Sequence, residues 1–405
     1  MSGTEPAFRS GTERAFRSGT EPASRSGTEP AFGVYVHIPF CASRCDYCDF
    51  ATWTDRGHLA DEYVDACVRD LGRRALAPAS SVFFGGGTPS LLDPAALTRI
   101  LDAIPRAAHV EVTVECNPDS VDLAKLRGYR AAGVNRVSLG VQSMRPHVLA
   151  ALGRTHDPDN VARAVDAARA AGIERLNLDL IYGTPGERVA DWEATLDAAL
   201  ALGPGHVSAY ALTVEPGTPL GRAVAGGHRE GPDEDDQALK YEVADDRLTA
   251  AGLAWYEISN WARPGEECRH NLLYWQGGDY AAIGCAAHGH AAGRRWWNVR
   301  TPERYVAAVR AGTSTEAGSE TLDLAARRAE TVVLALRTAR GIKLPGPAAD
   351  PEPMVACIDE LIDVGLLARD GDRAVLTRRG RLLGNEVAAR LLVALEGRAL
   401  PAGTR

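Results

Sequence analysis

From residue 34 onward, short apolar runs alternate with longer segments whose apolar residues recur every three or four positions. The short runs predict strands at 34–38, 81–85, 110–116, 135–142, 175–182 and 206–213, with a seventh at 253–258. The segments between them, 61–76, 94–104, 122–132, 159–171 and 189–202, predict helices. Strands and helices alternating at this spacing form parallel β/α units. Six or seven units predict a full or partial (β/α) barrel. Parity within the runs sharpens this. Leu176, Leu178 and Leu180 share one face of their strand, while Asn177 and Asp179 share the other. Val110, Val112 and Val114 alternate with Glu111, Thr113 and Glu115, and Val137, Leu139 and Val141 with Ser138, Gly140 and Gln142. A parallel strand buried on both faces is apolar throughout. Here one face is fit to lie under helices. The other carries polar groups toward the carboxyl ends, where barrel active sites lie; Glu115, Gln142 and Asp179 sit near those ends.

Outside this pattern, residues 2–32 repeat an octapeptide four times, SGTEPAFR in its first copy. The unit is too poor in apolar residues to offset its ordering entropy, so 1–32 predicts a disordered tail. Residues from about 220 to 320 read as loop-rich and hold most of the tryptophans, and the acidic run at 233–236 reads as a solvated face. Beyond 322, two helices (322–336 and 353–364), a hairpin turning at Asp370-Gly371 and a final helix from about Arg379 predict a small winged-helix-like α+β domain. The resulting division is a tail (1–32), a barrel (33–260), a barrel-covering segment (261–321) and a C-terminal domain (322–405).

The net charge of −8 disfavours nucleic acid as a partner and leaves only peripheral membrane association, through partner proteins. Without an apolar run of about 18 residues or a signal peptide, the expected location is the cytoplasm. In that reducing compartment clustered cysteines are metal ligands rather than disulfides. Cys41, Cys45 and Cys48 lie within eight residues, directly after the first strand. Three thiolates can hold three irons of a [4Fe–4S] cubane and leave the fourth iron open, since none of the other five cysteines extends the motif. A closed zinc site completed by His37 or Asp46 is the alternative. At the end of the second strand, Gly85-Gly-Gly-Thr88 allows close backbone approach to a ligand.

Together with Val114-Glu-Cys-Asn-Pro118, Ser138-Leu-Gly-Val-Gln-Ser143, Leu152-Gly-Arg-Thr-His156 and Asn177-Leu-Asp-Leu-Ile-Tyr-Gly183, these stretches resemble the radical S-adenosylmethionine superfamily, in the branch of oxygen-independent coproporphyrinogen III oxidase. The resemblance runs from about 33 to 395. It implies a partial (β/α)6-type barrel with the cluster at its mouth, held by Cys41, Cys45 and Cys48. It also implies that Tyr35, Tyr47, Gly86, Gly87, Thr88, Glu115, Gln142, Arg154 and Asp179 surround S-adenosylmethionine. The oxidases of this branch have a fourth cysteine where this chain has Phe50. The chain is similar instead to the HemW-type haem chaperones, which share its His270-Asn-Leu-Leu-Tyr274-Trp275 stretch, associated there with haem. That resemblance implies a protein that binds haem and passes it to haem-accepting, respiratory proteins. His270 would ligate iron and Tyr274 and Trp275 would offer flat faces. His288 or His290 is the alternative ligand, with Arg294 or Arg295 meeting propionates. Two other readings are a radical decarboxylase of porphyrinogen propionates and a scaffold without chemistry. Phe50 and the 270–275 stretch favour the chaperone.

Overall fold

The structure, a computed structural model, describes residues 31–344 and 352–397. The octapeptide segment lies outside the described residues, save its last two positions. The barrel strands are β1 (Phe32–Ile38), β2 (Ala79–Gly86), β3 (Arg106–Cys116), β4 (Arg136–Gln142), β5 (Arg175–Tyr182) and β6 (His206–Ala211). The helices between them are α1 (Ala60–Leu71), α2 (Pro94–Asp102), α3 (Leu123–Ala132), α4 (Pro146–Ala151), α5 (Asp159–Ala170) and α6 (Val189–Ala201). Local chemistry sets their ends. Asp93 and Asp122 accept hydrogen bonds from the backbone N–H of Ala96 and Lys125, capping α2 and α3. Gly133, at φ 111°, ends α3 in a left-handed turn that a side chain would strain.

Strands β1 to β6 are parallel neighbours in order. Val36, Val82, Val114, Leu139 and Leu178 are fully buried on the helix-facing side. The opposite face lines the barrel with Tyr35, Glu111, Thr113, Ser138, Asn177 and Ser208, as parity predicts.

The segment from 220 to 320 departs from the loop-rich expectation. It holds α7 (Pro219–Ala225), α8 (Glu234–Ala250), β7 (Ala254–Glu257), β8 (Asn260–Ala262), α9 (Arg269–Trp275), β9 (Asp279–Ile283), β10 (His288–Ala291), β11 (Arg294–Asn298), α10 (Pro302–Ala311) and β12 (Glu316–Thr321). One twelve-stranded sheet runs β12-β11-β10-β9-β1-β2-β3-β4-β5-β6-β8-β7. Strand β9 joins β1 in parallel, whereas β8, β7, β10, β11 and β12 are antiparallel. The end strands β12 and β7 do not pair with each other, so the barrel is open. The acidic run is not merely solvated. Asp233 caps α8 by accepting from the Asp236 N–H, and Asp236 lies 2.7 Å from the buried Lys240 amine.

A second apolar core lies at the carboxyl end. It is built from α11 (Leu324–Leu336), β13 (Ile342–Lys343), α12 (Glu352–Asp363), β14 (Leu367–Asp370), β15 (Arg373–Leu376), α13 (Arg378–Leu382) and α14 (Gly384–Leu395). Its three strands run β13-β15-β14, a winged-helix-like arrangement. Among the described residues no helix is long and apolar enough to cross a membrane.

Candidate functional site

The cysteine loop leaves the carboxyl end of β1 and is tied down on two sides. On one, the Cys41 N–H donates to the Trp53 carbonyl (3.0 Å). On the other, the Asp46 N–H donates to the Leu152 carbonyl (3.2 Å), and the Asp46 carbonyl accepts from Leu220 (2.8 Å). The Tyr47 ring packs against the apolar cluster of Val148, Leu152, Ile181, Leu212 and Leu220 beneath the loop. All three thiols are half-buried. The Thr88 hydroxyl lies 3.6 Å from Cys41 Sγ, and Arg154 Nη1 lies 3.6 Å from Cys45 Sγ.

The donor set suits a cluster with an open iron better than a closed zinc tetrahedron. His37 has both ring nitrogens engaged, Nδ1 with the Tyr35 hydroxyl (3.2 Å) and Nε2 with the Ala51 carbonyl (2.9 Å). Asp46 pairs with Arg229 at 3.3 Å. Among the described residues no three His, Cys, Asp or Glu side chains converge on a single-ion site. Beside the loop, Arg154 Nε is buried with no hydrogen-bond partner, a vacant donor for a ligand carboxylate.

The other residues expected around S-adenosylmethionine gather at the carboxyl ends of β2 to β5. Gly86, at φ 108°, turns its N–H onto Glu115 Oε2 (3.1 Å). Burial, reinforced by repulsion from Asp179, pushes the Glu115 carboxyl up to about 8, and the Gly86 N–H opposes this. Burial also raises Asp179, which Ser138 (2.7 Å), Asn177 (2.8 Å) and Ser208 hold down. Gln142 adopts φ 63°, strained for a side chain, at a register shift between β4 and β5. Gly140 makes room there. A Cβ on it would come 3.2 Å from Gln142 Nε2 and 3.4 Å from Arg154 Nη2, which donates to the Gly140 carbonyl at 2.7 Å. His156, absent from the expected set, lies buried with both ring nitrogens unpartnered. Burial, helped by Arg154, lowers its pKa to about 4.

The 270–275 stretch is α9, packed under the amino-terminal end of β1 and β2. His270 is 1% exposed, with Nδ1 2.9 Å from Ser81 Oγ and Nε2 2.8 Å from the Tyr274 hydroxyl. Its imidazole is therefore fully bonded within the protein. Tyr274 reaches a cavity between the cysteine loop and β9–β11, whereas Trp275 lies beside Glu257. His290 bonds the Gly278 carbonyl (3.0 Å). Arg294 pairs with Glu316, and Arg295 with Glu320 and Glu330. His288 faces the same cavity as Tyr274, with Phe50, Tyr280 and Trp297. Tyr280 and Trp297 escape sequence reasoning because strands this short carry no clear period.

Residues 35–199 match the family model described as the radical SAM superfamily. The protein named Heme chaperone HemW in Mycobacterium tuberculosis is 46% identical over 373 residues, 89% of this chain and 95% of its own length. The HemW of Bacillus subtilis is 32% identical, over 87% of this chain and 97% of its own. Coproporphyrinogen III oxidase (HemN) from Escherichia coli superposes with a TM-score of 0.78, covering 90% of each chain at 23% identity, which shows a shared fold. Cofactors of the radical SAM superfamily are a [4Fe–4S] cluster and S-adenosylmethionine, and the thiols, the glycines and the unpartnered Arg154 Nε fit that pair. Sequence, fold and site thus agree, and the chain belongs to the HemW family of radical SAM proteins.

Proposed function

We propose that this protein is a cytoplasmic haem chaperone that binds a [4Fe–4S] cluster, S-adenosylmethionine and haem, and hands the haem to acceptor proteins, respiratory ones among them. Cys41, Cys45 and Cys48 hold three irons. Gly86, Gly87 and Thr88 take the methionine end of the nucleotide, Arg154 its carboxylate, and Glu115, Gln142 and Asp179 the ribose and neighbouring groups. Tyr35 and Tyr47 lie against the nucleotide or the cluster. In this reading the barrel spans 33–260, a covering segment 261–321 and a further domain 322–405, the tail 1–32 having no part in binding. The cofactors supply one-electron chemistry when bound; the protein orients them and excludes water.

The observation that carries the reading is Phe50. Where the oxidases of this branch carry a fourth cysteine, this chain presents a phenyl ring that is 63% exposed and lines an aromatic cavity. That ring serves a flat apolar cargo. Two assays test the proposal. Reconstituted protein with reductant, S-adenosylmethionine and coproporphyrinogen III yields no protoporphyrinogen. Loaded with ferric haem, it delivers haem to a haem-free respiratory cytochrome faster than haem dissociates unaided. Efficient decarboxylation, or transfer no faster than passive loss, overturns it.

A further inference from the structure

We infer that the haem site is the cavity between the cysteine loop and β9–β11, with His288 as the iron ligand and Arg300 and Arg304 as the partners of the propionates. The inference rests on the haem-chaperone reading and locates its cargo.

The cavity has a volume of about 780 Å³, within the range of sites that hold cofactor-sized ligands. Phe50 forms one wall and Trp297 another; they are 63% and 37% exposed in a chain that is only 6% aromatic. Large aromatics left open on facing walls mark a surface that a flat apolar ligand covers. Tyr274 and Tyr280, with ring centroids 4.5 Å apart, close the inner side.

Of the two histidines that line this cavity among the described residues, His37 and His288, His288 alone has a ring nitrogen to give. His37 commits both ring nitrogens, to Tyr35 and Ala51; His270 commits both, to Ser81 and Tyr274, and like His290, whose Nδ1 bonds Gly278, it lies outside the lining. His288 makes no ring hydrogen bond among the described residues. It stands opposite Trp297 across the β10–β11 pair, ring centroids 6.2 Å apart, with its side chain exposed and open to a ligand.

The charges agree. Arg294 and Arg295 are held by carboxylates, whereas Arg300 and Arg304 line the cavity without an ion pair among the described residues. Asp49 is the one acidic residue in the lining, so the rim is net positive in a chain of charge −8. Two free guanidiniums suit two carboxylates on one edge of a macrocycle. His270 then acts at one remove, since its Nε2 fixes the Tyr274 hydroxyl and so positions a wall of the site.

The test is an anaerobic titration of the full-length, cluster-loaded protein with ferric haem, read in the Soret band. Wild type binds one haem with an axial-imidazole spectrum. His288→Ala raises the dissociation constant about tenfold or more and loses that spectrum, and millimolar imidazole restores it. His270→Ala keeps the axial-imidazole spectrum. Arg300→Ala with Arg304→Ala weakens haem about tenfold yet leaves haem dimethyl ester almost unaffected. Absence of saturable binding to wild type defeats the chaperone reading itself. Wild-type binding that His288→Ala leaves unchanged in affinity and spectrum defeats only this site. If His288→Ala misfolds, the ester decides: equal wild-type affinity for haem and its dimethyl ester overturns the site.

Discussion

Gly87 has no room for a methyl group. A Cβ there would lie 2.6 Å from the Phe40 carbonyl oxygen, 2.8 Å from that of Ile38 and 3.1 Å from Cys41 Sγ. The first two are backbone atoms, so the strain passes into the cysteine loop. Gly87→Ala is expected to cost about 1–3 kcal/mol and to displace Cys41. Iron and sulfide analysis should show a depleted cluster in folded protein; full cluster content would refute this. At Glu115, by contrast, stability and binding pull in opposite directions. Its folded pKa of about 8 lies above its ordinary 4.5, so the stabilisation from its proton is complete below about pH 4.5 and disappears as pH rises through about 8. Glu115→Gln cannot ionise. It should be more stable than the ligand-free wild type at pH 9 in urea unfolding, while binding S-adenosylmethionine more weakly. A variant less stable at pH 9 would contradict this assignment. At this scale the cysteines are legible because their spacing is local. The engagement of His270 is not, since one of its partners, Ser81, is 189 residues away in sequence.

Parity made β1 to β6 readable because each strand buries one face under helices and turns the other into the barrel. Strands β9 to β12 were not, being only four to six residues long, with Gly, His or Arg interrupting any alternation in β10 to β12. Helix α8 was masked by its charge, although that acidic first turn suits a helix N-terminus. Helix α9 shows what sequence period cannot reveal. Its first N–H groups are satisfied from inside the barrel, where Glu111 Oε1 accepts from Arg269 (2.9 Å) and His270 (3.3 Å). The other oxygen, Oε2, pairs with Arg175 at 2.7 Å. One buried carboxylate thus ties β3, β5 and α9 together and closes the amino-terminal end of the barrel. Glu111→Ala orphans the helix end and leaves Arg175 with only Glu266 (3.3 Å) and the Glu267 carbonyl (3.0 Å), and should cost about 3 kcal/mol in urea unfolding while cluster content per folded molecule stays unchanged. A change under about 1 kcal/mol would mean that α9 is held by other contacts.

From residue 31 onward two cores must act as one, and they are joined through two arginines of α13: Arg378, which pairs with Asp246 at 2.7 Å and Asp245 at 3.3 Å, and Arg381. Arg381 of α13 bonds both carboxylate oxygens of Asp245 on α8, at 2.9 and 2.7 Å. Its guanidinium also lies over Trp255 and Tyr241, 4.7 and 5.6 Å from the ring centroids. Asp245 accepts in addition from the Trp261 indole at 2.9 Å. Backbone bonds from Ala339 to Tyr256 (2.9 Å) and from Ile258 to Arg337 (3.1 Å) complete the seam. The ion pair is nearly buried on both sides, at 12% and 11% exposure, and removing Arg381 leaves Asp245 with only the longer pair to Arg378, at 3.3 Å, against an apolar wall. Arg381→Ala is therefore expected to cost about 3 kcal/mol and to split urea unfolding into two transitions, the residues beyond 324 melting first. Arg381→Lys retains the charge but not the two-pronged geometry, and should fall between. Because the cluster loop and the cavity lie on the barrel side, both variants should keep their iron and bind haem as wild type does. A single transition at the wild-type midpoint for Arg381→Ala would show that the seam is held by Arg378 and the backbone bonds instead.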